Sequence, residues 1–216
     1  MEPTLQPEEV RVLASLLEKE IATPEYYPLT LNALINACNQ KTSRDPVVAY
    51  DSNVVLRALD SLREKKLIRV VSGAESRVAK YRQVFTETAN LTLQQVSLLC
   101  VLMLRGPQTV GELRTRTDRL CSFENLTEVE KALQRLEDRE AGALVRQLPR
   151  QPGTKEPRYA HLLAGEPLHW EAAAVVPGAQ PSDSHRLERL EAEVDSLRDA
   201  ISELRTEFAA FRKQFE

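Results

Sequence analysis

Apolar positions fall into a helical rhythm almost at once. Val10, Leu13, Leu16 and Leu17 follow Pro7 at spacings that build one stripe, and Thr23-Pro24 stops the run near Ala22. A second stretch, Leu31, Leu34, Ile35 and Cys38, is preceded by Thr30 as helix cap and Leu29 as its hydrophobic staple. The polar segment from Asn39 to Pro46 breaks the rhythm. It resumes near Asp51 with Val55, Leu59 and Leu62 on one face. Leu67 to Val71 and Val78 to Val84 read as strands joined by the turn Ser72-Gly73-Ala74-Glu75-Ser76. The predicted order is helix, helix, helix, hairpin, the pattern of a winged helix.

The order then repeats. Leu91-Thr92 with Gln95 signals a capping box before Val96, Leu99, Leu102 and Met103, and Gly106-Pro107 ends that helix. Thr109 with Glu112 opens the next helix, which contains Leu113. Thr127 with Glu130 opens a third, carrying Val129, Ala132, Leu133 and Leu136. Ala143 to Leu148 and Arg158 to Leu163 form the second hairpin around a long tip, Pro149 to Pro157. Ala58, Leu59 and Leu62 match Ala132, Leu133 and Leu136, and Tyr81 matches Tyr159 in the return strands.

A segment without periodicity, Ala172 to Ser182, contains Pro177 and Pro181 and reads as a linker. Beyond it Leu187, Leu190, Val194, Leu197, Ile201, Leu204, Phe208, Phe211 and Phe215 alternate at three and four residues. That is a heptad repeat, with Leu187, Val194, Ile201, Phe208 and Phe215 at a and Leu190, Leu197, Leu204 and Phe211 at d. In a parallel pair Arg186 would face Glu191, Glu193 would face Arg198 and Glu207 would face Arg212. β-branched a positions with leucine at d favour two strands. Each exposed charge pair contributes at most about 1 kcal/mol, so charge sets orientation and apolar burial sets affinity. The expectation is a homodimer through Leu187 to Phe211. The competing reading folds this helix back on its own chain, and the terminal phenylalanines also suit a partner-binding patch.

Composition supports a folded chain, with 42% hydrophobic and 28% charged residues in 216. No apolar run reaches the roughly 20 residues of a membrane span, and the acidic Met1-Glu2-Pro3-Thr4 start has no apolar signal core. The expectation is a cytoplasmic protein with no membrane partner. The net charge of -3 argues against nucleic acid until its distribution is seen. Residues 183–216 hold 6 basic and 9 acidic side chains, and residues 1–25 hold 2 and 6, so residues 26–182 carry a net +4. That mild bias permits phosphate contact.

In a winged helix the third helix reads base edges while the wing and nearby amides hold phosphates. Ser52, Asn53 and Arg57 are the exposed candidates there; Asn suits adenine and Arg suits guanine. Lys41 and Arg44 lie just before that helix. Arg77, Lys80 and Arg82 place charge on the first wing, and Arg150 and Lys155 on the second. The competing reading is an ordinary solvated surface, with Asp51, Asp60 and Glu64 weakening the field. In the second half Glu124, Glu128 and Glu130 would repel phosphate from the third helix, while Arg114, Arg116, Arg119, Arg146 and Arg158 lie elsewhere. That suits a protein contact or a structural role.

Cys38, Cys100 and Cys121 lack zinc spacing, and Cys38 and Cys100 fall on apolar helix faces as small core residues. His161 and His169 have no nearby carboxylate pattern. There is no phosphate loop, nucleophile elbow or zinc-protease motif. The sequence therefore offers no catalytic residue, cofactor site or metal site.

The stretch Tyr27-Pro28-Leu29-Thr30-Leu31-Asn32-Ala33-Leu34-Ile35-Asn36-Ala37-Cys38-Asn39-Gln40-Lys41-Thr42-Ser43-Arg44-Asp45-Pro46-Val47 resembles the signature of the YceH family of bacterial proteins. So does Gly106-Pro107-Gln108-Thr109-Val110-Gly111-Glu112-Leu113-Arg114. The resemblance covers about Gln6 to Glu171 and implies two tandem winged-helix domains, with a coiled-coil tail also typical. It transfers no catalytic residues, and it marks the Asn39 to Pro46 loop for a specific role. The bland alternative is that Asn39 ends a helix and Asp45-Pro46 shapes a turn.

The expected architecture is mainly α with small β-hairpins, an α+β chain. Winged-helix domains span 1–86 and 87–171, a linker 172–184 and a coiled-coil helix 185–216. The expected function is a dimeric, transcription-regulator-type binder of double-stranded DNA. The alternative is a non-catalytic scaffold that holds protein partners in its winged-helix grooves and coiled coil.

Overall fold

A computed structural model describes residues 4–71, 78–150 and 156–166. The chain divides into two units, Met1–Trp170 and Glu171–Glu216, and every described residue belongs to the first. The linker, the heptad segment, Arg77 and Lys155 lie outside the described residues. Within them the chain is mixed α and β, with seven α-helices and small antiparallel sheets.

Helix α1 (Pro7–Ala22) starts as its sequence dictates. Pro7 occupies the first turn, and the Glu9 carboxylate accepts the Gln6 N–H at 2.6 Å. A 3₁₀ turn, Pro24–Tyr26, leads to β1 (Leu29–Thr30) and α2 (Leu31–Cys38). Thr30 caps α2 by accepting from Ala33 N–H at 3.4 Å, while Leu29 pairs in a sheet. The two roles fall on adjacent residues because extended backbone at the N-cap continues the strand. Asp51 caps α3 (Ser52–Glu64), accepting from Val54 N–H at 2.9 Å. The first hairpin is β2 (Ile68–Val71) and β3 (Lys80–Gln83). The strand order β1-β3-β2 sets Leu29 opposite Tyr81 and Arg69 opposite Arg82. A one-turn helix α4 (Phe85–Thr88), absent from the sequence expectation, follows.

The second half repeats the order. Helix α5 (Leu93–Arg105) carries the expected Thr92/Gln95 capping box and ends at Gly106, whose φ of 70° favours glycine. Helix α6 (Val110–Thr117) carries the Thr109/Glu112 box, with Glu112 N–H donating to Thr109 Oγ1 at 3.2 Å. Helix α7 (Leu126–Glu137) corrects the sequence reading. Its cap is Asn125, which accepts from Glu128 N–H at 3.0 Å, so the helix starts before Thr127. Strands β4 (Val145–Gln147) and β5 (Tyr159–His161) are shorter than expected. Tyr159 also bridges Gln108 through mutual backbone bonds of 3.0 and 2.8 Å. Gln108 precedes the α6 cap as Leu29 precedes the α2 cap, so the same contact recurs in both halves.

The element order repeats across residues 86 and 87 while the core continues through them. α1 and α5 pack together, and each is buried along ten consecutive residues, Glu9 to Glu18 and Gln95 to Leu104. A helix buried all round is a central element, not a surface one. Leu13, Leu16, Leu98, Leu102, Leu34, Leu62, Leu113 and Leu133 join one apolar cluster. Cys38 and Cys100 are buried within it, as small core residues should be.

Candidate nucleic-acid interface

The third helix of the first half is amphipathic by position. Val55, Ala58, Leu59 and Leu62 are buried, whereas Ser52, Asn53, Leu56 and Arg57 are exposed. Ser52, Asn53 and Arg57 thus share a solvent-facing stripe near the start of α3, and no hydrogen bond or ion pair within the described residues occupies their side chains. Arg57 borders a cleft of ≈ 320 Å³ that Glu8 and Glu9 also line. Glu9 is committed to Lys65 at 2.6 Å. Burial opposes ionisation of Glu9, but hydrogen bonds from Lys65, Ser61 and the Gln6 backbone, with the Lys65 charge, outweigh it and hold its carboxyl below the ordinary value.

The segment between α2 and α3 is built by two buried arginines. Arg11 of α1 donates to Cys38 O at 3.2 Å and Pro46 O at 2.6 Å. Arg44 donates to Ala37 O at 2.9 Å, Ser43 O at 3.0 Å and Gln40 Oε1 at 3.1 Å, and it pairs with Glu18. Asn39 closes the segment, with its Nδ2 donating to Tyr50 O at 2.9 Å and its Oδ1 accepting from Tyr50 N–H at 2.8 Å. Asp45 N–H donates to Leu104 O at 2.9 Å, tying the segment to α5. The tyrosine and aspartate peptides preceding Pro28 and Pro46 are cis.

Arg44 is therefore corrected as a phosphate candidate. Its residue exposure is 5%, and its donors are spent inside the fold. Lys41, by contrast, is exposed. The hairpin keeps Lys80 exposed, while Arg82 is half-buried and paired with Glu87. Arg69, which the sequence reading passed over, is exposed directly across from Arg82. Its signal was a cation inside an otherwise apolar strand.

In the second half the basic residues are largely committed to the fold. Arg114 donates to Phe123 O at 3.3 Å and Glu124 O at 3.0 Å. Arg116 lies 3.6 Å from Glu112, and Arg158 reaches Glu112 at 2.8 Å and Pro107 O at 2.9 Å. Arg146 pairs with Glu166, and Arg119 with Glu18. Arg150 is exposed. Around α7, Glu124 and Glu130 are exposed and Glu128 half-buried, which keeps this helix start acidic.

Burial opposes the charge of Glu18, but hydrogen bonding and charge from Arg44, with the Arg119 charge, hold its carboxyl below the ordinary value. Burial pushes the Cys38 and Cys100 thiols up, which suits core packing and opposes nucleophilic use. Burial pushes His161 down to about 4, and its sealed Nδ1 has no hydrogen-bond partner. Among the described residues no three His, Cys, Asp or Glu side chains gather as metal ligands, and no helix is long and apolar enough to cross a membrane.

The family model described as "Protein of unknown function, DUF480" matches residues 5–154. A UPF0502 protein of Citrifermentans bemidjiense is 51% identical over 217 residues, covering 100% of both chains. One from Opitutus terrae is 51% identical over 196 residues, 91% of this chain and 84% of its own. One from Vibrio atlanticus is 45% identical over 212 residues, 95% and 97% respectively. The long motifs around Thr30 and Thr109 thus sit in a chain that belongs to the DUF480 family of bacterial proteins, whose members carry the name UPF0502 and with which the YceH assignment agrees.

Proposed function

We propose that the chain is a cytoplasmic, non-catalytic DNA-binding protein of transcription-regulator type. It would be built from two tandem winged helices and dimerised through the heptad segment Leu187 to Phe211. The supporting observation is the layout of α3. A capped helix buries one face and turns Ser52, Asn53 and Arg57 outward, beside a hairpin bearing Lys80 and Arg69. Such a helix suits the major groove, and a cationic hairpin suits the flanking phosphates. The step from this layout to function is analogy between folds.

Fluorescence anisotropy of the full chain with mixed labelled genomic fragments tests the reading. Saturable binding at low salt that weakens steeply as salt rises is expected. No binding at low salt removes it.

A second reading, a protein-interaction scaffold, is favoured by α7. Its start exposes Leu126 beside Glu124 and Glu130, and the surrounding arginines are spent on internal contacts. Pull-down from nuclease-treated bacterial lysate separates the two. Protein partners that persist support the scaffold; loss of all partners supports the DNA reading.

A further inference from the structure

Among the described residues β2 is an edge strand. The order β1-β3-β2 gives it one neighbour, and no other described strand pairs with it. Val84 N–H donates to Leu67 O at 2.9 Å, which fixes the phase of the ladder. In an antiparallel pair, hydrogen-bonded and non-hydrogen-bonded positions alternate. With Arg69 opposite Arg82 and Val71 opposite Lys80, the backbone groups of Ile68 and Val70 therefore face outward.

A cleft of ≈ 560 Å³ lies beside that edge. Its apolar lining comes from Ile68, Val70 and Val84, and its cations are Arg63, Lys66 and Arg69. Val70 is 39% exposed, so part of the apolar lining is open to solvent. Lys66 and Arg69 have no ion-pair partner among the described residues. Arg63 has Asp60 at 3.4 Å, with both side chains more than half exposed. Glu87, the acidic residue of the lining, pairs with Arg82. The cleft is thus positively charged around an apolar floor.

We infer that this edge docks an extended segment of a partner protein in which acidic and apolar residues alternate, added beside β2 as a further strand. Main-chain bonds to Ile68 and Val70 would supply register. Side-chain alternation would send apolar residues to the face of Ile68 and Val70 and carboxylates to the face of Arg69, with Arg63 and Lys66 at the start of the strand. A second copy of β2 is a poor occupant, because it would bring its own Arg69 to a basic edge. A sugar–phosphate backbone would leave the apolar floor and the open ladder unused. The DNA reading places its ligand at the start of α3 and on the hairpin cations, so the two sites share Arg69, while Arg63, Lys66 and the β2 backbone belong to this site alone.

The test is titration of the ¹⁵N-labelled full chain with a synthetic peptide of about ten residues, the upper length of an ordinary strand, alternating Glu and Val. Fluorescence anisotropy of the same peptide gives the affinity. Saturable shifts centred on the Ile68 and Val70 amides are expected. Affinity should fall roughly tenfold or more with Arg69→Glu, as for loss of one close charge pair. The doubly substituted Arg63→Glu/Lys66→Glu chain, whose changes lie on exposed residues, should lose binding while keeping its circular dichroism spectrum. A Lys/Val peptide should not bind. Failure to saturate, shifts centred elsewhere, or affinity indifferent to both variants overturns the inference. So does a DNA duplex that displaces the peptide and shifts the same amides, which would make nucleic acid the occupant.

Discussion

The carboxylate of Glu18 in α1 accepts a hydrogen bond from Arg119, 101 residues away in the second half of the chain. The same carboxylate is paired with buried Arg44. Glu18 is therefore shared between the segment preceding α3 and the segment following α6. Both side chains of the Glu18–Arg44 pair are fully sealed, whereas Arg119 is 45% exposed.

Breaking the sealed pair should be severe. Glu18→Ala leaves the Arg44 guanidinium buried without its counter-charge and should destabilise the chain by about 3–5 kcal/mol. Arg119→Ala should cost about 1 kcal/mol or less, because its charge is screened by solvent. Urea unfolding of the three proteins checks the ranking. A smaller loss for Glu18→Ala than for Arg119→Ala would refute the account of the pair.

Acid should weaken the fold in two stages. His161 falls from an ordinary 6.5 to about 4 through burial, so the folded chain resists its protonation. The unfolded chain takes up that proton first, and the stability present above 6.5 declines as pH falls toward 4, by at most about 1.4 kcal/mol per pH unit. Glu9 and Glu18 have lowered values, so their contribution is complete above the ordinary 4.5 and is lost as pH falls through their folded values. His161→Phe should remove the first stage and leave the second. Unfolding free energy measured between pH 7 and 3 checks both, and a first stage unchanged by the substitution would sink the assignment to His161.

Two cap signals compete at the start of α7. Asn125 is followed three residues later by Glu128, and Thr127 by Glu130. Asn125→Ala should cost about 1 kcal/mol through loss of its bond to Glu128 N–H, and Thr127→Ala only a few tenths. Thermal melts of the two single variants decide. Equal effects would mean that the helix start is not fixed by Asn125.

That competition shows where the sequence was legible. Caps at Thr30, Thr92 and Thr109, and a helix start near Asp51, were readable because a cap is a local pattern over three residues. At Asn125 the local rule admitted two answers. Burial of α1 was illegible for the opposite reason: Glu9, Arg11, Ser15 and Glu18 look like a solvent face. The tertiary partners that justify burying Glu9, Arg11 and Glu18 lie 26 to 101 residues away. Arg44 misled in the same way, as a cation in a polar loop whose carboxylate partner is 26 residues back. The one-turn helix α4 and the two-residue β1 are too short to establish any periodicity. The α3 candidates needed only the helical period, and Ser52, Asn53 and Arg57 are exposed as that period requires.

Substitutions on α3 and the hairpin should separate base reading from phosphate contact. If α3 enters a major groove, Asn53→Ala should lower the preference among DNA sequences, by about 1–3 kcal/mol for a bidentate contact. Lys80→Ala should weaken binding to all sequences alike and reduce the slope of log affinity against log salt by about 0.9, one phosphate contact. Arg44→Lys serves as the contrast: as a buried residue it should lower stability and leave the salt slope unchanged wherever the chain remains folded. Anisotropy titrations at several salt concentrations, with circular dichroism to verify folding, give both quantities. If the Arg44 variant changes the slope and the Lys80 variant does not, phosphates approach a different face, and the assignment of this helix and hairpin to DNA is wrong.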